Sequence, residues 1–207
     1  ILTPMGNKCY LIIYFISLTF VAINKIIENM NTIYSFEQWD LDLLVDYVQK
    51  VHHRGIREKG PKVLDKLIAL AEAHKADAPN LLKVTDHFRN SLYDLDVHCN
   101  KEDNILYPYV VEMYEAYAQG HRVPPFHCGS VQSPISAMMA DHDEEVSRHN
   151  RIADLTNNYS APDSSDEDYV ETMQLLREFR EALDEHVSIE NDVLFPMAIK
   201  LESMMQR

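Results

Sequence analysis

One eleven-residue pattern is written twice in this chain, and it restricts the fold more than any other feature. His98-Cys-Asn-Lys-Glu102-Asp-Asn-Ile-Leu-Tyr-Pro108 and His186-Val-Ser-Ile-Glu190-Asn-Asp-Val-Leu-Phe-Pro196 both read H-x-x-x-E-x-x-[IV]-L-[YF]-P. A His and a Glu four residues apart lie one above the other on a helix. Each pair sits on an apolar stripe: Leu81, Val84, Phe88, Leu95, Ile105, Leu106 and Met113 around the first, and Leu175, Phe179, Leu183, Val193, Leu194, Met197 and Leu201 around the second. A Glu on a core stripe is costly unless it is paired or ligates a metal. Two such pairs on facing helices can supply imidazole nitrogens and carboxylate oxygens to one metal centre.

The rest of the sequence agrees with helices. Only five glycines occur in 207 residues, strand-like alternation is scarce, and Leu, Met, Ala, Glu and Lys recur at helical spacing, so the expected fold class is all-α with a single main domain. Four long helices are predicted: from Asp40 to about His74 with a bend at Gly60-Pro61, from about Leu81 to Tyr117, from Ile135 to Asn158, and from Asp166 to Met204. The connections at 76–80, 120–134 and 160–165 make an antiparallel four-helix bundle. The third helix adds His142 to an inward stripe with Ile135, Met139, Val146 and Ala153. The first offers both His52 and His53, and periodicity alone does not choose between them.

Heights along the bundle can be compared at about 1.5 Å per residue. His53 stands about as far before the first turn as His98 stands after it, and His142 and His186 flank the last connection almost symmetrically. Four helices thus bring four histidines to one layer. His74 lies about 30 Å along the helix from His53 and belongs at the far end.

The formal charge of −14 argues against nucleic acid or an anionic membrane as partner, since no local basic patch is evident. Three cysteines, Cys9, Cys99 and Cys128, without paired spacing suit a reducing compartment and give thiolates no part in the metal site; a cytoplasmic location is expected. Residues 1–29 stand apart. Their apolar run, Tyr10 to Ile23, is roughly 14 residues, shorter than a membrane span of about 20. It reads as a leader, an extra helix or a mis-called start upstream of Met30. The expected domain is 30–207.

At these residues the chain resembles the hemerythrin-like di-iron domain of the repair-of-iron-centres family, from about Leu41 to Met204. The resemblance rests on His53 before Arg57-Glu58, His74 in Ala-His-Lys-Ala-Asp, the two motif copies, and Pro134-Ile135-Ser136 leading to Asp141-His142-Asp143-Glu144. It selects His53 over His52. It implies two non-haem irons, oxo-bridged, with His53, His98, His142 and His186 as terminal ligands and Glu102 and Glu190 as bridging carboxylates. It further implies a part in restoring iron-sulfur clusters after nitrosative or oxidative damage, by iron delivery or NO removal, with damaged iron-sulfur proteins and NO or O2 as partners. Any enzymatic activity would be NO reduction or iron donation. The alternative is a hemerythrin-like carrier or sensor of O2 or NO without turnover. The fifth histidine of O2 carriers, expected one turn after His142, is replaced by Val146.

The family's ferritin-like rivals use E-x-x-H on their helices, a spacing absent from this chain. Asp94 and Asp141 are candidates to orient the ligands from behind, with His149 as pocket lining or packing. Tyr93, Tyr107, Tyr109 and Phe195 are candidate walls, and Cys99 is read as packing. The 120–134 loop, with His121, His127 and Cys128, is either a lid or surface.

Overall fold

The structure is a computed structural model that describes residues 35–127, 129–162 and 166–206. The N-terminal apolar run, Met30, Cys9 and Cys128 lie outside them. Residues 35–39 hold one 3-10 turn, Phe36–Gln38. The bundle is a unit of its own from Asp40 onward.

Four helices make it, and no strand occurs among the described residues. Helix α1 (41–73) consists of Leu41–Tyr47, a π-helical stretch Val48–His53, and Arg54–Ala73. Helix α2 (80–118) runs through Asn80–Lys101, the π stretch Glu102–Leu106, and Tyr107–Ala118. Helix α3 is Gln132–Leu155, and α4 (167–205) joins Glu167–Ser188, the π stretch Ile189–Leu194, and Phe195–Met205. Asp40 precedes α1 with extended backbone angles. Asp166 caps α4 by accepting from the Tyr169 N–H at 2.9 Å, which satisfies one of the free donors of the first turn.

The π stretches explain the prolines of the repeated motif. A proline inside an α-helix lacks a donor and drives its ring into the carbonyl four residues back. Pro108 and Pro196 are each the second residue of the helical segment that follows a π stretch, where the widened turn relieves that clash. The helix continues through both prolines. The wider turn also rotates what comes after it. Ile105, expected on the core stripe, is therefore turned out and 48% exposed, while Leu106 and Tyr107 are buried.

Packing settles two further positions. The helix runs on through Gly60-Pro61, with Arg54–Ala73 one segment and Pro61 inside it. Gly60 is there for space: a Cβ would stand 2.5 Å from Cδ2 of Leu92. On α3 the buried face is Ile135, Met138, His142, Glu145, His149 and Ile152. Met139, expected inward, is 40% exposed, because the buried stripe passes through Met138 in its place and admits the charged Glu145 and Arg148.

Below the histidine layer an apolar cluster including Leu67, Val84, Phe88, Leu95, Leu176 and Phe179 fills the bundle. Cys99 is part of it. Glu202 of α4 accepts from the Val131 N–H at 3.0 Å and from Ser130 Oγ at 2.6 Å, tying the end of the 120–134 loop to the bundle. No helix among the described residues is long and apolar enough to cross a membrane.

Candidate metal centre

The six residues picked out in the sequence meet in one buried layer. His53, His98, His142, His186, Glu102 and Glu190 are all at most 2% exposed. Nε2 of His53 and of His98 lie 3.4 and 3.2 Å from Oε2 of Glu102. Nε2 of His186 lies 2.8 Å from Oε1 of Glu190, and Nε2 of His142 is 3.0 Å from its Oε2. Nε2 of His53 is also 3.6 Å from Oε1 of Glu190. Every ring turns the same nitrogen inward.

These donors form two overlapping tetrads, His98, His142, His186 and Glu190, and His53, Glu102, His186 and Glu190, with ligand atoms within 4.8 Å of one another in each. Neither oxygen of Glu102, nor Oε2 of Glu190, nor Nε2 of His53 or His186 has a hydrogen bond of good geometry. Buried polar atoms without partners are expensive, and buried carboxylates far more so. A set of imidazole nitrogens and carboxylate oxygens left open toward a common centre fits divalent metal ions, and without thiolate it fits iron or manganese better than a closed structural zinc site.

The repeat organises more than its own His and Glu. The residue after each Glu reaches across to the histidine of a helix that carries no copy. Asp103 Oδ1 accepts from Nδ1 of His53 at 2.7 Å, and Asn191 Oδ1 does the same for His142 at 2.9 Å. Tyr107 and Phe195, equivalent positions in the two copies, stack on those same rings at 5.8 and 6.0 Å, nearly parallel. Each copy on α2 or α4 thus supplies two inward donors and positions a third on α1 or α3. At this aromatic position the copies differ: the Tyr107 hydroxyl donates to Oε1 of Glu190, and Phe195 has no counterpart.

The electrostatics follow from this packing. Burial by itself would push Glu190 up, but the close rings of His186, His142 and His53 outweigh it and hold Glu190 well below the usual carboxylate range. Glu102 is lowered in the same way by His53 and His98, against burial and the charge of Glu190. Burial works against protonated rings as well, yet Glu102 and Asp141 raise His98 to about 9. Asp103, Cys99 and the two glutamates raise His53. Carboxylates stay ionised here because cationic groups face them.

The other expected positions fall in different places. Asp141 Oδ2 is 3.3 Å from Nδ1 of His98 and 2.9 Å from Lys101 Nζ. Asp94 pairs instead with Arg148 at 2.5 Å, so it touches no histidine of the layer; Arg148, buried beside Glu145 at 3.0 Å, takes it away. His149 is buried two turns from His142, hydrogen-bonded to Ser91 Oγ at 3.0 Å and stacked on Phe179. Tyr93 is 71% exposed and walls nothing. Tyr109 donates to the Pro124 carbonyl in the 120–134 loop. His74 contacts Asp77 and Asp166 at the far end of the bundle.

Asp103 and Asn191 were not among the expected residues. Their signal was available, since both copies place a short polar side chain directly after the Glu. His52 is buried beside the layer, stacked on His186 at 5.7 Å, and its Nε2 has no partner. Burial and the neighbouring His186 lower it to about 4. A hollow of about 270 Å³ reaches His98 from the surface, lined by Asp94, Lys101, Asp141, Glu144 and Glu145 among others.

With this geometry in view, comparison with known proteins is decisive on the family. The model of the hemerythrin HHE cation binding domain matches residues 45–198. This chain belongs to that family. It is also similar to the iron-sulfur cluster repair protein ScdA of Staphylococcus epidermidis, 26% identical over 75% of this chain and 66% of that protein. Similarity to the iron-sulfur cluster repair protein YtfE of Escherichia coli is 28% over 75% of this chain and 65% of that one. This hemerythrin HHE chain spans about two thirds of the length of those relatives. Its all-α bundle and its cation-binding character are those of the family.

Proposed function

We propose that this chain holds two non-haem iron ions and serves the repair of iron-sulfur clusters damaged by nitrosative or oxidative stress, by delivering iron, removing NO, or both. One observation carries the reading: four buried imidazoles and two buried carboxylates open toward a common centre in a chain whose relatives are named for cluster repair. His53, His98, His142 and His186 would hold the ions from outside, and Glu102 and Glu190 would join them. When bound, the irons would supply redox chemistry and open coordination positions for a diatomic molecule.

The chain's own part is positioning and exclusion. Asp103 and Asn191 hold the rings of His53 and His142 with Nε2 inward, which favours the tautomer a metal ligand needs. Tyr107 restrains one oxygen of Glu190. The stacked rings and the apolar cluster keep bulk water from the carboxylates. The hollow at His98, with more carboxylates than cations on its wall, favours the approach of a metal cation over that of an anion.

The test is metal content per chain after anaerobic purification, with an optical spectrum of the same sample, followed by transfer of iron to an apo-cluster acceptor. Two irons with oxo-bridged absorption, and transfer lost in Glu102→Leu and Glu190→Leu, support the proposal. Zinc at one per chain, or no metal after supplementation, overturns it. A stable reversible O2 adduct of the reduced protein would favour carriage over repair.

A further inference from the structure

Tyr107 and Phe195 hold equivalent places in the two copies of the motif, and both are buried. Each ring lies nearly parallel to a histidine, Tyr107 to His53 and Phe195 to His142. Either residue meets the packing need, yet only one carries a hydroxyl. A buried phenol is costly unless its hydroxyl finds a partner. That of Tyr107 donates to Oε1 of Glu190.

The two oxygens of Glu190 face different histidines. Oε1 is 2.8 Å from Nε2 of His186 and 3.6 Å from Nε2 of His53, whereas Oε2 is 3.0 Å from Nε2 of His142. Nε2 of His98 is 3.0 Å from that of His142 and belongs on the same side. An ion held with His53 would therefore take Oε1, and an ion held with His142 would take Oε2. The Tyr107 hydroxyl addresses the first oxygen alone. A hydrogen bond to an anionic oxygen is about twice as strong as a neutral one, and it weakens once a cation draws on the same charge. Tyr107 thus stabilises Glu190 more before an ion binds than after, and by linkage it lowers the affinity for that ion.

The groups behind the rings differ as well. Asp103, behind His53, is a carboxylate and strengthens that ring as a donor; Asn191, behind His142, is neutral. The His53 side carries one group that tightens its ion and one that loosens it, while Asn191 and Phe195 give the other side neither. We propose that Tyr107 is a positioning residue for metal release: by holding Oε1 of Glu190 it loosens the ion on the His53 side and leaves the other ion untouched. This rests on the two-metal reading above and adds to it the group that makes the two ions unequal.

The test is Tyr107→Phe, which writes the second copy's residue into the first and keeps the stacked ring. Anaerobic competition for iron(II) between the full chain and a chelator of known affinity measures each ion. One ion should be held about tenfold more tightly than in the wild type, part of the worth of a hydrogen bond to a charged group, with the other within twofold. Asp103→Asn should move the same ion in the opposite direction. Freed of metal, Tyr107→Phe should unfold at lower urea than the wild type, because Oε1 of Glu190 has lost its donor. Tighter metal with a weaker metal-free fold is the expected signature, since a packing role alone would lower both. Two bound ions with affinities unchanged or reduced in Tyr107→Phe overturn this proposal alone. A wild-type chain that takes up fewer than two ions overturns the two-metal reading, and this proposal with it.

Discussion

Nδ1 of His53 on α1 donates to Asp103 on α2 at 2.7 Å, directly behind the face that the ring turns to Glu102 and Glu190. Asp103 is itself held by Gln49 at 3.1 Å and Arg57 at 2.8 Å. A carboxylate anchored this firmly sets both the tautomer and the orientation of the imidazole.

Asp103→Leu should therefore weaken metal binding by about 10- to 100-fold without unfolding the bundle. Asn191→Leu should do the same through His142. Competition with a chelator of known affinity measures both, and an unchanged metal affinity in either variant would remove that residue from the site.

The two carboxylates should behave differently from their neighbours. Glu102→Leu and Glu190→Leu take away donors that no other side chain replaces, so each should bind fewer than two metals per chain while far-ultraviolet circular dichroism stays helical. Glu190 belongs to both tetrads and its loss should be the more severe. Elemental analysis of the purified variants decides this.

His149 supplies a pH signature outside the metal layer. Burial, with the charges of Arg180 and Arg148, lowers it to about 3, whereas in the unfolded chain it titrates near 6.5. Below about 6.5 the unfolded state binds a proton that the folded state does not, so stability falls as pH falls through that window toward 3. About 2 kcal/mol should be lost between roughly pH 6.5 and 5. His149→Gln keeps a polar partner for Ser91 and should flatten this dependence, read from urea midpoints across the range.

Gly55 and Gly60 should respond differently to the same substitution. Gly55→Ala meets open space and should stabilise the protein by about 0.5–1 kcal/mol. Gly60→Ala brings a Cβ to 2.5 Å from Leu92 Cδ2, and the repacking it forces should offset the same gain. Thermal melts of the two single variants would show the difference.

Much of this molecule is written in local periodicity. The 3.6-residue stripes, the scarcity of glycine and the two copies of H-x-x-x-E determine an all-α bundle and place His98, Glu102, His186 and Glu190 on inward faces, because spacing along a helix is a local property. Equal heights from the turns likewise carry His53 and His142 to the same layer. Other features depend on neighbours that spacing does not reveal. The π stretches turn Ile105 outward and bury Tyr107, since one extra residue in a turn shifts every later side chain around the helix. Asp94 looks like a ligand-orienting carboxylate from its distance to His98, yet the buried Arg148 of another helix claims it. Asp103 and Asn191 look like ordinary polar positions until the helices pack and bring each behind a histidine some fifty residues away. Which groups are paired, and which are left open to a metal or a ligand, is settled by contacts between helices, and those exist only once the bundle has closed.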